Sequence, residues 1–264
     1  MNLRLVTIKK GEIMIIDVKQ IKTNLEIKFE IYYDEKLHNI GTCSRSSSVF
    51  STKMYTLEGD IVFSTKFNPI TQVTSWIPFK WLWSKQKSNV NYILDNTGQN
   101  IGKIEHVTEG LFYSYHIIEC LSTALKIYSI SLGEEDYYMI YRNETQIGMI
   151  VKNSYIKNNL DYYKLYLLDD FTDYSDVLSL FILYCDNNYY GNRNEIVAYK
   201  TEKSWEYSFS RTDKFFNAQW LKENFELKEI EYEEIRKKGK IVSILFLGCF
   251  FTLLIVIIYY KFLA

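Results

Sequence analysis

Proline is almost missing from this 264-residue chain, with two residues, and glycine is held to eleven. No Ser/Gly/Pro-rich stretch divides it, so a pair of domains on a flexible tether has no compositional support. Cysteine is sparse as well: Cys43, Cys120, Cys185 and Cys249 show no close pairing, and Cys249 falls inside an apolar run. That spacing argues against a disulfide framework or a zinc cluster and leaves reduced, structural thiols. The three histidines, His38, His106 and His116, belong to no H-E-x-x-H or similar metal-ligand spacing. There is no Walker A loop, no dinucleotide-binding glycine fingerprint and no G-x-S-x-G elbow. Charge of one sign is absent too: 31 Lys and Arg against 32 Asp and Glu give a net charge of −1, which argues against a general nucleic-acid binder. The acidic clusters Glu134-Glu135-Asp136 and Asp169-Asp170 read as solvated turns rather than acid–base pairs. No enzyme, cofactor or metal is expected from these features.

What the chain has instead is tyrosine, at 23 residues, alongside abundant Ile, Phe and Trp, which suit a half-buried pleated surface and point to a mainly β fold. Three stretches share one plan: IYYDEKLHNIGTCSR from Ile31, YILDNTGQNIGKIEH from Tyr92 and MIYRNETQIGMIVKN from Met139. In each, an aromatic and apolar run meets a polar cluster, then Ile-Gly at Ile40-Gly41, Ile101-Gly102 and Ile147-Gly148, then a return strand. Asp34, Asp95 and Asn143 are the turn formers, so the N-x-T at Asn143 reads as a turn rather than a glycan acceptor. Each glycine just inside the return strand allows a bulge or a close backbone approach where a sheet curves. With MYTLEGDIVFSTKF from Met54 and ALKIYSISL from Ala124, about ten or more short strands precede residue 170, and a sheet of that size curls, splits or closes.

After Asp173 the texture changes. DYSDVLSLFILYCDNNYY offers Ser175 or Asp176 as an N-cap, followed by Val177, Leu178 and Leu180 to Tyr184, apolar almost all round. It is too short to span a bilayer, so it reads as a core helix that a barrel would wrap, or else as a buried strand.

The hairpins of the form Y-x-x-D-x-x-x-x-x-I-G, together with the late helix beginning DYSDVLSLFILYCD, resemble the tubby C-terminal-like superfamily. That group includes LURP-one-related proteins and phospholipid scramblases, and the resemblance covers roughly residues 25 to 200. It implies a closed antiparallel barrel of about twelve strands around a central hydrophobic helix, here about 175–187, and action at membranes through phosphoinositide or phospholipid contact. No scramblase-like proline-rich or calcium-binding loop accompanies it, and no ligand residue is carried over.

Two further segments bear on membranes. SWIPFKWLWSKQK sets Trp76, Phe79, Trp81 and Trp83 among Lys80, Lys85 and Lys87. Such a segment suits a bilayer interface, where Trp favours the headgroup region and Lys the anionic lipid; alternation equally suits a strand with Phe79, Trp81 and Trp83 on its core face. Near the end, the run from Ile241 to Tyr260 carries no charge, and as a helix of twenty residues it would rise roughly 30 Å, the thickness of bilayer hydrocarbon. Arg236, Lys237, Lys238 and Lys240 precede it and Lys261 alone follows closely, which by the positive-inside rule places the upstream domain in the cytoplasm. The N-terminus is expected not to act as a signal peptide, its apolar pieces being short and interrupted.

The expected organisation is a barrel domain over 1–205, a helical stalk or juxtamembrane segment over 206–240, with Trp220 and Phe225 either on its apolar stripe or docked back on the barrel, and a transmembrane helix over 241–260. The expected function is a non-enzymatic binding module at the inner membrane face, recognising phospholipid headgroups or a membrane-associated protein. The alternatives are a lipid-active or hydrolytic site at the barrel mouth, and a scaffold acting through the stalk.

Overall fold

A computed structural model describes residues 13–22, 26–46, 49–70, 84–110, 113–153, 155–190, 201–203, 206–207 and 211–262. Its strands are β1 (Ile13–Lys22), β2 (Glu26–Tyr33), β3 (Lys36–Ser46), β4 (Val49–Tyr55), β5 (Ile61–Phe67), β6 (Gln86–Leu94), β7 (Asn100–Thr108), β8 (Ser114–Cys120), β9 (Thr123–Gly133), β10 (Glu135–Arg142), β11 (Thr145–Asn153), β12 (Tyr155–Lys157), β13 (Tyr162–Leu168), β14 (Thr201–Lys203) and β15 (Glu206–Tyr207). Strands β1 to β11 follow one another as antiparallel neighbours, and β13 pairs with both β1 and β11. The β9–β10 pairing completes a closed ring of twelve antiparallel strands. Closure removes the unpaired edges that an open sheet of this size would present. The short β12–β14 and β9–β15 pairings are additions to the ring.

Alternation in the sequence sets the two faces. In β2 the burial pattern of EIKFEIYY alternates, so that Ile27, Phe29 and Ile31 point inward. In β10, Tyr138 and Ile140 face the interior while Tyr137 and Met139 face an outer layer. The hairpin tips confirm the turn chemistry read from sequence. Asp34-Glu35 and Asn143-Glu144 both hold positive φ at two successive residues, the conformation of a two-residue type I′ hairpin turn. Leu121-Ser122 does the same without a turn-forming side chain, leaving Leu121 exposed at φ 50°. The glycines earn their places sterically. The extra residues Ile101 and Ile147 lie directly before Gly102 and Gly148 and shift the register of their hairpins. A Cβ on Gly102 would lie 2.2 Å from the carbonyl oxygen of Glu119, and one on Gly41 would meet the Leu183 side chain at 2.5 Å.

Inside the ring lies α1 (Ser175–Cys185), entered from a 3-10 turn over Asp169–Tyr174. Ten of its eleven residues are buried, so it is the core rod rather than the alternative strand. An isolated helix of this length is barely stable in water; here packing of its whole surface supplies what propensity does not. Neither Ser175 nor Asp176 is the N-cap, because the 3-10 turn feeds directly into the helix and Tyr174 takes that position. Asp176 instead sits in the first turn, where its carboxylate accepts bonds from the Tyr33 hydroxyl at 2.5 Å and from Asn39 Nδ2 at 3.1 Å. A carboxylate there also suits the positive end of the helix dipole.

The segment expected as a helical stalk is helical only in pieces. A 3-10 turn over Arg211–Phe215, a short α2 (Trp220–Phe225) and an irregular stretch precede α3 (Tyr232–Phe262). Trp220, Leu221 and Phe225 are buried against the outside of the barrel, with Phe225 edge-on to Tyr166 at 5.1 Å. The outward apolar side chains Tyr137, Met139 and Met149 need that cover, which is why the segment folds back. Among the described residues no helix is long and apolar enough to cross a membrane.

Gly102→Ala should destabilise the protein by about 3 kcal/mol, because a backbone carbonyl cannot yield, while Gly41→Ala should cost about 1 kcal/mol as Leu183 shifts. Thermal unfolding of the two variants beside wild type measures the difference. By the same assay, the double variant Leu121→Asn, Ser122→Gly should be more stable by about 1 kcal/mol, since it relieves left-handed backbone at two residues.

Candidate functional site

Two polar regions stand out from the apolar packing, one within the barrel and one on its outer wall. The inner one gathers at the C-terminal end of α1, where the chain runs on as a π-turn over Asp186–Tyr190. Helix carbonyls left without partners favour polar neighbours at such an end. Cys43 Sγ meets Leu183 O at 3.4 Å, and Asn188 Nδ2 donates to Tyr184 O at 2.8 Å. Tyr163 donates to Asp186 at 2.7 Å, Tyr138 and Tyr190 share a hydroxyl contact of 2.5 Å, and Tyr190 reaches Asp136 at 3.2 Å. Lys152 and Asp161 form an ion pair of 2.8 Å with side chains 3% and 1% exposed. Asp136, expected in a solvated acidic turn, is buried at 4% exposure because its strand turns that residue into the barrel.

His106 and His116 lie at the same end, opposite each other in the β7–β8 register with rings 5.0 Å apart. His106 Nδ1 contacts Ser88 Oγ at 3.2 Å and His116 Nε2 contacts the Tyr189 hydroxyl at 3.0 Å. Among the described residues His116 Nδ1 is buried without a hydrogen-bond partner, and the ring packs edge-on to Phe181. Burial holds both imidazoles below their ordinary pKa, His116 far below, with repulsion from a charged His106 adding to the effect. Burial also drives the phenol of Tyr189 up to about 12. Cys43 and Cys185 are buried with thiol pKa values raised by desolvation, which leaves them poor nucleophiles. Among the described residues no group of three or more His, Cys, Asp or Glu side chains is placed to hold a metal ion. This inner region is closed and tightly packed.

The outer region is an open groove of about 920 Å³ on the barrel wall. Strand β9 supplies Ala124, Lys126 and Tyr128, the outward set of an alternation whose inward set is Leu125 and Ile127. The β10–β11 tip adds Asn143 and Glu144, and the 3-10 turn adds Lys214 and Phe215. Phe215 stacks on Tyr128 at 3.9 Å and thereby fixes the turn to the wall. Tyr113 completes the lining, with Arg211 5.9 Å and Lys214 6.0 Å from its ring. Lys126 and Lys214, with Glu144 as the one acidic residue among the described lining, thus share an open trough with Tyr113, Tyr128 and Tyr141, an arrangement suited to an anionic group with hydroxyls or ester oxygens beside it.

Of the membrane-contact residues read from sequence, Trp76, Phe79, Lys80, Trp81 and Trp83 lie outside the described residues. Lys85 and Lys87 are described, and each meets a carboxylate: Lys85 with Glu109 at 3.1 Å, Lys87 with Glu105 at 2.6 Å. In the basic cluster, Arg236 lies 3.6 Å from Asp213 and donates to the Tyr232 hydroxyl at 2.6 Å, while Lys238 pairs with Glu234 at 2.7 Å. Lys237 is exposed beside them, and the Lys240 side chain lies outside the described residues. The groove residues Lys126 and Lys214, and Arg211 beside Tyr113, escaped the sequence reading. A signal was present in A-L-K-I-Y, which places Lys126 and Tyr128 on one outward face, and in R-T-D-K-F-F, where basic and aromatic residues mix; nothing local said that the two would meet. No family model matches the chain, and no curated protein or solved structure does so either.

The pH dependence of stability follows from the histidines. Both titrate near 6.5 when unfolded and lower when folded, so the unfolded state takes up protons first as the pH falls. Their contribution is complete above about pH 6.5 and is lost progressively below it, by at most about 1.4 kcal/mol per pH unit for each histidine. Melting temperatures from pH 7.5 to 5 should fall for wild type and fall less for His116→Gln.

Proposed function

We propose that this chain is a membrane-anchored, non-enzymatic binding module whose outer groove takes the headgroup of an anionic phospholipid. The carrying observation is the groove's place beside the start of α3: Arg236 of that helix reaches Asp213, the neighbour of the groove residue Lys214. Five residues further along the helix the uncharged run 241–260 begins. At 1.5 Å per residue that distance is less than 10 Å, so a bilayer holding the run would bring its headgroups within reach of Lys214 and Lys126.

The anchor reading is supported by the continuous helix over Tyr232–Phe262 and by the side chains described along it. Ile241, Ile244, Leu245 and Ile255 are each more than half exposed, which suits hydrocarbon rather than water. The cations before the run favour a cytoplasmic barrel. Membership of the tubby C-terminal-like group belongs to the same proposal, on the strength of the hairpin motifs and of a closed barrel around a helix. Confinement to the membrane raises the local concentration of headgroups, so a shallow groove with few contacts is sufficient.

The full chain in detergent should bind soluble short-chain phosphatidylserine and should not bind phosphatidylcholine, as read by titration calorimetry. The double variant Lys126→Ala, Lys214→Ala should weaken the affinity about 30-fold, from about 1 kcal/mol per lysine. Equal affinity for both lipids, or no loss in the variant, would overturn the assignment of the groove. Alkaline carbonate should leave the expressed chain in the membrane pellet, and its release would overturn the anchor.

A further inference from the structure

The inner polar cluster contains one lysine among several carboxylates, and one pair within it is arranged for more than ionic contact. Lys152 on β11 and Asp161 just before β13 are both 2% exposed, with Nζ 2.8 Å from Oδ1. Yet among the described residues no side chain or backbone group gives either oxygen of Asp161 a well-directed hydrogen bond. An ammonium this close to a carboxylate ordinarily aligns a proton on a lone pair. The approach is close but off the hydrogen-bonding direction.

Around the pair the surroundings are aromatic. The Lys152 Nζ lies 4.3 Å from the Tyr190 ring centroid and 5.7 Å from that of Tyr163. A second carboxylate, Asp136, faces Lys152 across β10 and β11, where the register pairs the two residues directly. Both side chains turn into the barrel and both touch Tyr190, whose hydroxyl holds Asp136 Oδ2 while Asp136 Oδ1 has no partner among the described residues. Burying an ammonium and two carboxylates in an apolar, aromatic enclosure is costly, and joining two of them into a neutral amide removes that cost.

We propose that Lys152 and Asp161 condense to an intramolecular isopeptide bond. A proton passes from the Lys152 ammonium to the Asp161 carboxylate, leaving a neutral amine beside a neutral acid. Nζ then attacks Cγ of Asp161, forming the N–C bond and a tetrahedral centre. The proton on Nζ passes to the departing hydroxyl, the C–O bond breaks, and one water leaves. No oxidant, reductant or further reactant is consumed. The product is an amide bridging β11 to the turn before β13, which locks the strand that closes the ring against β1.

Intact-mass spectrometry of the purified full chain tests this directly. Wild type is expected to be lighter than its sequence by one water molecule. Tandem spectra of a proteolytic digest should show the segments containing residues 152 and 161 joined and no cleavage after Lys152. Lys152→Arg, which keeps the charge but cannot form this amide, should regain the full sequence mass. Full mass in wild type, or a water loss that persists in Lys152→Arg, would overturn the bond. Because the deciding measurement is made on wild type, a variant that fails to fold does not obscure the result.

Discussion

Filling the barrel is the constraint from which the rest of this structure follows. Twelve strands closed into a ring leave no exposed edge, but they enclose more volume than their inward side chains can occupy, and a void there would forfeit dispersion contacts on every side. Helix α1 occupies that volume. Leu183 reaches the space that Gly41 leaves open, and Phe181 and Tyr184 pack among inward residues from several strands. Barrel and helix are therefore mutually dependent: the helix is too short and too apolar to stand in water, and the ring without it would be hollow.

Threading a helix through a barrel creates a second requirement at its ends. Helix termini leave backbone donors and acceptors unmatched, so the interior cannot be apolar throughout. At the N-terminal end Asp176 is satisfied by Tyr33 and Asn39; at the C-terminal end tyrosines, Asp186, Asn188 and the Lys152–Asp161 pair collect together. The abundance of tyrosine finds a reason here. A phenol fills space as an apolar ring and ends in a hydroxyl that can meet a buried carboxylate, which phenylalanine cannot do. Outside the wall the same residue type serves differently, with Tyr113, Tyr128 and Tyr141 lining a groove open to solvent.

Much of the barrel was legible in the chain. Period-two alternation gave the strands, Asp34, Asp95 and Asn143 gave their turns, and the Ile-Gly pairs marked places where a side chain cannot fit. Other features depended on distance. The turn at Leu121-Ser122 carries no turn-forming residue, and only the demand of adjacent strands for a tight connection holds it there. Asp136 looked solvated because its neighbours Glu134 and Glu135 are charged; the strand that starts there sends it inward. The expected stalk looked helical from its apolar spacing, but its large side chains found the outer wall of β10, β11 and β13 before they found one another.

The amino-acid sequence by itself determined the strand-rich character, the hairpins, the greasy segment after Asp173 and the uncharged run near the end, because each is a local pattern of side-chain period, turn chemistry or length. Only the tertiary structure decided that β9 meets β10 to close the ring, that Lys152 faces Asp161 and Asp136 in the interior, and that Lys126 and Lys214 share a groove. Those are meetings between residues far apart in the chain or on opposite sides of a turn. They are set by how a twisted sheet closes upon a helix, and that geometry belongs to no single segment.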